Sequence, residues 1–237
     1  MKLLDLTIET PAANLACDEA LLDLCEAGLS GGVLRFWESP EYFVVLGYAN
    51  KAGNELDLEA CRRRSIPIFR RCSGGGAVLQ GPGCLNYALV LPIDGALQSI
   101  TQTNCHIMNR NRDALRPLVK GEVDVRGHTD LALDNLKFSG NSQRRRRKYL
   151  LFHGSFLLNF DLSLISDVLK FPSRQPDYRQ SRSHGEFLTN LPLSATAVKF
   201  AMQQQWQVTA PLPMDPKNGI EALVEKRYSR HEWNLKW

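Results

Sequence analysis

Two short segments hold the residues best suited to chemistry. The first, RRCSGGGAV at 70–78, places Arg71 shortly before three consecutive glycines. A glycine run lets the backbone approach a ligand closely with its N–H groups turned toward phosphate or carboxylate oxygens, and an arginine adds a fixed charge. The segment lacks the GxxxxGK(S/T) pattern and the strand–GxGxxG–helix context of common nucleotide-binding loops. It predicts an anion site or, equally, a glycine-rich bend between strands.

The second segment is LKFSGNSQ at 136–143, where Lys137 precedes a predicted Ser-Gly-Asn-Ser turn at the end of a strand. A lysine in that place can bind a phosphate, or a carbonyl oxygen that gains charge in a transition state. A solvated lysine is the alternative. His153, in LFHGS, is a third candidate, although a histidine in an apolar strand is more often a buried group with its hydrogen bonds satisfied.

The elements that would position these residues follow from periodicity and turn signals. Helices are predicted at 14–27, 55–64, 100–118, after an N-cap at Ser194, and at 220–228. Strands are predicted at 33–37, 43–48, 66–70, 86–91, 131–137 and 149–160, with a loop or hairpin end between the last two. This order is not a regular βα alternation. It favours an α+β domain with a mixed, largely antiparallel sheet packed with helices.

Composition narrows the class of protein. The 237 residues, 43% of them hydrophobic, suffice for one domain with a buried core, and no apolar run approaches a membrane span. The first residues carry acids where a signal peptide needs an apolar stretch, so a cytoplasmic location is expected. The six cysteines end at position 105 and show no CxxC spacing, which indicates free thiols rather than a zinc site.

Several segments in the right order resemble the lipoate–protein ligase family across nearly the whole chain. They are NLACDEALL (14–22), FVVLGYAN (43–50), RRCSGGGAV (70–78), GHTDLALDNLKFSGNSQ (127–143), FHGSFLLNFDL (152–162), the stretch at 181–191 and HEWN (231–234). The resemblance implies a single catalytic domain, residues 1–237, of the biotin/lipoate ligase fold, a class II synthetase-type fold.

The resemblance also implies a reaction. ATP would activate lipoate to lipoyl-AMP, and a lysine of a lipoyl-domain protein would then take the lipoyl group. Lys137 would be catalytic, Asp130 a candidate Mg²⁺ or ribose ligand, and the strands around Val44, Leu79 and Tyr87 the slot for the acyl tail. The residues that it assigns to the nucleotide and the acyl-adenylate are Arg71, Ser73, Gly74, Gly75, Gly76, Ala77, Val78, Leu79, Asn86, Asp130, Lys137, Gly140 and His153.

The chain departs from the family pattern in two places. Gln80-Gly81-Pro82 stands where members commonly carry a His-Asp pair, and no room is expected for an accessory C-terminal domain, which would then be a separate chain. One alternative is an octanoyltransferase of the same fold, although its expected cysteine is missing before the lysine motif. A biotin ligase is a weaker alternative. The basic run at 144–148 suggests nucleic acid, but it lacks a supporting motif, so neither nucleic acid nor a membrane is expected as a partner.

Overall fold

A computed structural model describes residues 1–29, 31–172 and 174–236. Its larger sheet has the strand order β11-β1-β2-β6-β10-β9-β8-β7; β11, β1 and β2 run parallel, and the other neighbours are antiparallel. The strands are β1 (Lys2–Asp5), β2 (Val33–Trp37), β6 (Cys84–Pro92), β7 (Val123–Arg126), β8 (Asp130–Leu133), β9 (Leu136–Arg145), β10 (Tyr149–Leu157) and β11 (Ala210–Pro211).

A smaller sheet has the order β4-β3-β5. It consists of β3 (Phe43–Leu46), β4 (Ile68–Arg70) and β5 (Val78–Gln80), with β3 parallel to β4 and antiparallel to β5. The stretch between β4 and β5, residues 71–77, is called the glycine segment below. Strands therefore flank it on both sides: β4, which the sequence predicts at 66–70, and β5, which it does not.

Helices cover both faces of the larger sheet. They are α1 (Pro11–Glu26), α2 (Ala52–Glu55), α3 (Leu58–Arg63), α4 (Ile100–Leu115), α5 (Ser163–Val168), α6 (His184–Phe187), α7 (Ala195–Gln205), α8 (Lys217–Leu223) and α9 (His231–Asn234), with a π-helical turn at Val224–Tyr228. In β6, Leu85 and Leu89 pack toward α4 and α7, whereas Ala88 and Val90 pack toward α1. Burial on both faces explains why β6 is apolar almost throughout.

Local chemistry explains where the main helices begin. Thr10 accepts a hydrogen bond from the backbone of Ala13, and Pro11 occupies the first turn of α1, a position that needs no N–H partner. Ser194 caps α7 through the backbone N–H of Ala197, as predicted. None of the helices in the described part of the chain is long and apolar enough to cross a membrane.

The region around Lys137 differs from the sequence prediction. Lys137 lies at the start of β9, and the Ser-Gly-Asn-Ser stretch continues that strand rather than turning. The turn comes earlier, at Asp134 and Asn135, whose φ angles of 48° and 65° give the left-handed pair of a two-residue hairpin. Asp and Asn tolerate this conformation, so the predicted single strand at 131–137 becomes β8 and the start of β9.

The sequence also missed some short elements and misjudged some ends. It gave no strand at β1, β5 or β7, each of which has four residues or fewer and gains its place from pairing. The helix predicted at 55–64 corresponds to α3, and the short helix α2 before it was not predicted. The predicted loop after 137 is largely strand as far as Arg145.

Candidate functional site

A cavity of about 930 Å³ opens between the glycine segment, strands β6, β9 and β10, the β7–β8 turn and the stretch at 174–178. Of the residues assigned from the sequence, those that line it are Arg71, Gly75, Gly76, Ala77, Val78, Asn86, Asp130, Lys137, Gly140 and His153. Ser73, Gly74 and Leu79 are not among its lining residues. The structure thus brings the two chemistry-bearing segments together around one space.

Arg71 is folded into the glycine segment rather than extended from it. Its Nη2 donates to the carbonyls of Gly74 and Gly76, the latter at 2.9 Å, and its Nε donates to Ser73 Oγ at 3.1 Å. No carboxylate pairs with it among the described residues, and burial lowers the pKa of its guanidinium to about 10. Arg71 therefore turns the carbonyls of the glycine segment toward its guanidinium, and these bonds hold the segment in one conformation.

Glycine is required at two points beside this arginine. Gly75 has a φ of 90°, which side chains rarely adopt. A Cβ on Gly47, at the end of β3, would lie 2.0 Å from the carbonyl oxygen of Gly75. The close approach of the two backbones fixes the glycine segment against the smaller sheet.

Lys137 lies on β9 with its ammonium turned to Asp130. Nζ is 2.8 Å from Asp130 Oδ1, and the other carboxylate oxygen accepts a hydrogen bond from the Tyr178 hydroxyl at 2.9 Å. A Cβ at Gly140 would lie 3.0 Å from Nζ, so glycine leaves the space that the lysine side chain uses. The ammonium stays 2.8 Å from one carboxylate while facing the cavity.

Asp130, the candidate Mg²⁺ ligand, is bonded to neighbouring side chains. Both of its oxygens have partners, and the described residues contain no group of three or more His, Cys, Asp or Glu side chains able to hold an ion. Mg²⁺ usually binds through one or two carboxylates together with substrate phosphates. Any Mg²⁺ here would depend on the phosphates of a bound nucleotide.

His153 is buried on β10 and has a partner on each ring nitrogen. Nδ1 lies 2.9 Å from Asp18 Oδ2, and Nε2 lies 2.6 Å from Ser73 Oγ. Asp18, on α1, also pairs with Arg35 at 2.6 Å. Burial works to raise the pKa of Asp18, but Arg35 and His153 outweigh it and hold that pKa below its usual range. Composition and periodicity gave no signal for Arg35, whose partners come from distant elements.

The apolar end of the cavity is shifted by one residue from the sequence expectation. Tyr87 lines it, as predicted, but Val45 and Val78 line it in place of Val44 and Leu79. Val44 and Leu79 pair across β3 and β5 and pack into the opposite core, because successive side chains of a strand face opposite sides. Leu15 and Trp37 complete this apolar wall.

A second cavity, of about 230 Å³, shares part of its wall with the first. The shared residues are Gly76, Ala77, Val78, Lys137, Gly140, Ser155, Arg174 and Pro176. Its other walls include the apolar side chains of Phe138, Leu157, Ile165 and Leu169. Lys137 and the end of the glycine segment therefore stand at the junction of two spaces.

No cysteine lines either cavity in the described part of the chain. Cys105, on α4, is exposed, and the other five are buried. Burial raises the pKa of Cys17, Cys72 and Cys84 to about 12. These thiols are held protonated and away from the site.

The unusual Gln80-Gly81-Pro82 stretch has a local explanation. Gln80 ends β5, lines the larger cavity, and accepts a hydrogen bond from Cys84 Sγ at 3.3 Å. A Cβ at position 81 would lie 2.3 Å from the ring of Tyr42, so the chain needs glycine there.

Arg70, next to Arg71, has a structural role that sequence reasoning missed. Its fully buried guanidinium donates to the carbonyls of Gly47, Tyr48, Asn50, Trp233 and Lys236. The HEWN stretch is thereby attached to β4 and to the turn after β3, and Asn234 adds a bond to the backbone N–H of Arg70 at 3.0 Å. Of the two adjacent arginines, Arg70 thus holds the C-terminal stretch against the fold, and Arg71 holds the glycine segment.

Residues 10–206 match the model of the lipoyl protein ligase A/B catalytic domain. The chain belongs to this family. Octanoyltransferase LipM of Brevibacillus brevis is 26% identical over 96% of this chain and 95% of the relative. The bipartite lipoate protein ligase of Thermoplasma acidophilum, solved in a study with its E2 lipoyl domain, is 25% identical with a TM-score of 0.84, covering 99% of this chain and 95% of that one.

A lipoate–protein ligase A structure with bound ATP is 27% identical, with a TM-score of 0.79 and coverage of 99% of this chain and 98% of that one. The family and the fold class predicted from the sequence are both confirmed. The relatives carry two related activities, acyl transfer and ligation, so the choice between them depends on the site.

Proposed function

We propose that this member of the lipoyl protein ligase A/B family uses ATP to convert lipoate to lipoyl-AMP and transfers the lipoyl group to a lysine of a lipoyl-domain protein. The observation that carries the proposal is the position of Lys137 at the junction of two cavities, neither of which is lined by a described cysteine. An acyl-adenylate matches this arrangement of two cavities, because it has an apolar tail and a nucleotide that are joined at a phosphate.

The larger cavity would take the acyl tail against Leu15, Trp37, Val45, Val78 and Tyr87. The second cavity, with apolar walls and an edge made by the glycine segment, would take the adenine base. The phosphate joining them would then lie at Gly76 and Lys137, which line both.

In the first step the carboxylate oxygen of lipoate attacks the α-phosphorus of ATP, and pyrophosphate leaves. Charge accumulates on the non-bridging oxygens in the transition state, and a cation fixed beside them lowers the barrier. Lys137 would turn from Asp130 to these oxygens, while Asp130 keeps the hydrogen bond from Tyr178. ATP bound to a similar ligase supports the nucleotide.

In the second step the neutral amine of the acceptor lysine attacks the acyl carbonyl. The carbonyl oxygen gains negative charge, AMP leaves, and the amine loses its proton as the amide forms. Lys137 is the cation best placed to stabilise both the developing oxyanion and the departing phosphate. The Thermoplasma ligase, described as bipartite with an E2 lipoyl domain, supports a lipoyl-domain acceptor and an accessory function on a separate chain.

Octanoyl transfer is the second candidate, because relatives at 24–26% identity are octanoyltransferases. A transfer through a cysteine thioester needs a thiolate at the cavity. No described cysteine lines either cavity, and burial raises the pKa of Cys72 and Cys84 to about 12, which favours ligation.

The experiment compares three acyl donors with the same lipoyl domain, read as the mass of the acceptor. The donors are lipoate with ATP and Mg²⁺, synthetic lipoyl-AMP, and an octanoyl-carrier-protein thioester. Modification by the first two supports the proposal. Modification by lipoyl-AMP alone indicates that adenylation needs a second chain, and modification by the thioester alone contradicts the proposal.

A further inference from the structure

Four buried polar side chains form one hydrogen-bonded chain behind the glycine segment. Arg35 Nη1 donates to Asp18 Oδ1 at 2.6 Å, and the other oxygen of Asp18 lies 2.9 Å from His153 Nδ1. His153 Nε2 then lies 2.6 Å from Ser73 Oγ. Arg35, Asp18 and Ser73 are at most 3% exposed and His153 is 8% exposed, so water has little access to these bonds.

The chain continues to Arg71, whose Nε–H donates to Ser73 Oγ at 3.1 Å. The hydroxyl proton of Ser73 is then free to go to His153 Nε2, and the Nδ1–H of His153 goes to the Asp18 carboxylate. The Nε–H of Arg71 is shared with the carbonyl oxygen of Gly74, also at 3.1 Å.

The order Ser, His, Asp is that of hydrolytic triads, but the surroundings of Ser73 argue against a nucleophile. Its oxygen is absent from the walls of both cavities, and it accepts a hydrogen bond from a cation. A nucleophilic serine must reach the substrate carbonyl with a lone pair free to attack. Ser73 instead joins His153 to Arg71.

We propose that Arg35, Asp18, His153 and Ser73 are positioning residues that fix Arg71 and, through it, the backbone of the glycine segment. Arg71 Nη2 holds the carbonyls of Gly74 and Gly76, so an arginine set at one angle sets the loop. This inference rests on the proposed function, in which that loop receives the nucleotide phosphate. It assigns Asp18 and Arg35 a part in nucleotide binding although Arg35 does not line the cavity.

The test compares Ser73→Ala with Ser73→Thr, which keeps the hydroxyl, and with Ser39→Ala as a matched control. Ser39 is also a buried serine, 2% exposed, whose hydroxyl bonds a backbone carbonyl in the turn after β2. Two quantities are measured on each folded variant. One is solvent exchange of the Arg71 Nε–H by NMR with ¹⁵N-arginine, assigned by its loss in Arg71→Lys; the other is the KM for ATP and for lipoate.

Ser73→Ala is expected to speed exchange of the Arg71 Nε–H severalfold, because only its bond to the Gly74 carbonyl remains. It should raise the KM for ATP about tenfold, the effect of losing one hydrogen bond to a charged group. The KM for lipoate should change less than about twofold, since the apolar wall is untouched, and Ser39→Ala should resemble the wild type. Ser73→Thr should show slower exchange of the Arg71 Nε–H than Ser73→Ala, because it keeps the hydroxyl. An unchanged solvent-exchange rate of the Arg71 Nε–H in Ser73→Ala overturns the inference that these residues position Arg71. Faster exchange in Ser73→Ala, together with a wild-type protein that does not adenylate lipoate, supports the positioning of Arg71 and contradicts the proposed function.

Discussion

Replacing Lys137 by methionine separates its chemical role from its structural one. Methionine keeps most of the side-chain length and removes the charge that faces Asp130 at 2.8 Å. If Lys137 stabilises the charge that develops in both steps, its loss should lower kcat by about 10²–10³-fold, the range for removing one transition-state contact. The fold should survive, because the pair is partly exposed, at 27% for Lys137 and 13% for Asp130.

The stability cost follows from that exposure. Partly exposed ion pairs contribute about 1 kcal/mol or less, which for a domain of this size corresponds to a Tm change of roughly 2–4 °C. Lys199 offers a control, since its Nζ lies 2.7 Å from Asp5 Oδ1 with 26% exposure and it does not line either cavity. Because Asp5 is more exposed than Asp130, at 42%, Lys199→Met should show a Tm change no larger than that of Lys137→Met, with wild-type activity.

The assay is single-turnover formation of lipoyl-AMP and its transfer to a lipoyl domain, with thermal unfolding of the same samples. If Lys137→Met keeps activity within about threefold of Lys199→Met, Lys137 is not the stabilising cation and the mechanism fails. If Lys137→Met loses activity only together with a Tm drop far larger than that of Lys199→Met, the effect is structural.

Two further predictions concern the stability of the fold. Arg70→Lys should lower the free energy of unfolding by about 2–4 kcal/mol, because one ammonium cannot bind the carbonyls of both the turn after β3 and the C-terminal stretch. Urea unfolding measures this, with Arg62→Lys, a change at an exposed arginine, as the control. Equal unfolding midpoints for the two variants would contradict the structural role of Arg70. Burial, with Arg179 and Lys137 nearby, lowers the pKa of His184 to about 4. As the pH falls below about 6.5, His184 therefore becomes protonated in the unfolded chain but stays neutral in the folded chain. Stability should therefore decline between about pH 6.5 and 4, and His184→Gln should make that decline shallower than in the wild type; parallel curves would show that His184 does not contribute.

Much of the scaffold was within reach of the sequence because periodicity reports burial. The helices α1, α4 and α7 and the strands β2, β6 and β10 have long or regular apolar patterns, and each lies close to its predicted place. The strands β1, β5 and β7 are short and stabilised by pairing with distant partners, which a local pattern does not record. The residue types of Asp134 and Asn135 are typical of a hairpin turn, but the prediction placed the turn at the Ser-Gly-Asn-Ser stretch of the next strand, which contains a glycine.

The candidate site divides in the same way. The glycine segment and Lys137 stand out by residue type, and the structure places them around one cavity. The bonds that hold Arg71, by contrast, join α1, β2, β10 and the glycine segment, and only the tertiary fold brings these together. The slip from Val45 to Val44 shows how one position along a strand reverses which face a side chain occupies.

The proposed reaction passes through an adenylate rather than through an enzyme thioester, and the intact mass of the protein itself distinguishes the two routes. The protein is mixed in stoichiometric amount with lipoate, ATP and Mg²⁺, or with an octanoyl-carrier-protein thioester, without an acceptor, and quenched in acid. We predict an unchanged protein mass in both samples and one equivalent of lipoyl-AMP released from the first. An increase in protein mass by the acyl group, lost on treatment with hydroxylamine, would place the acyl group on a cysteine and contradict the account.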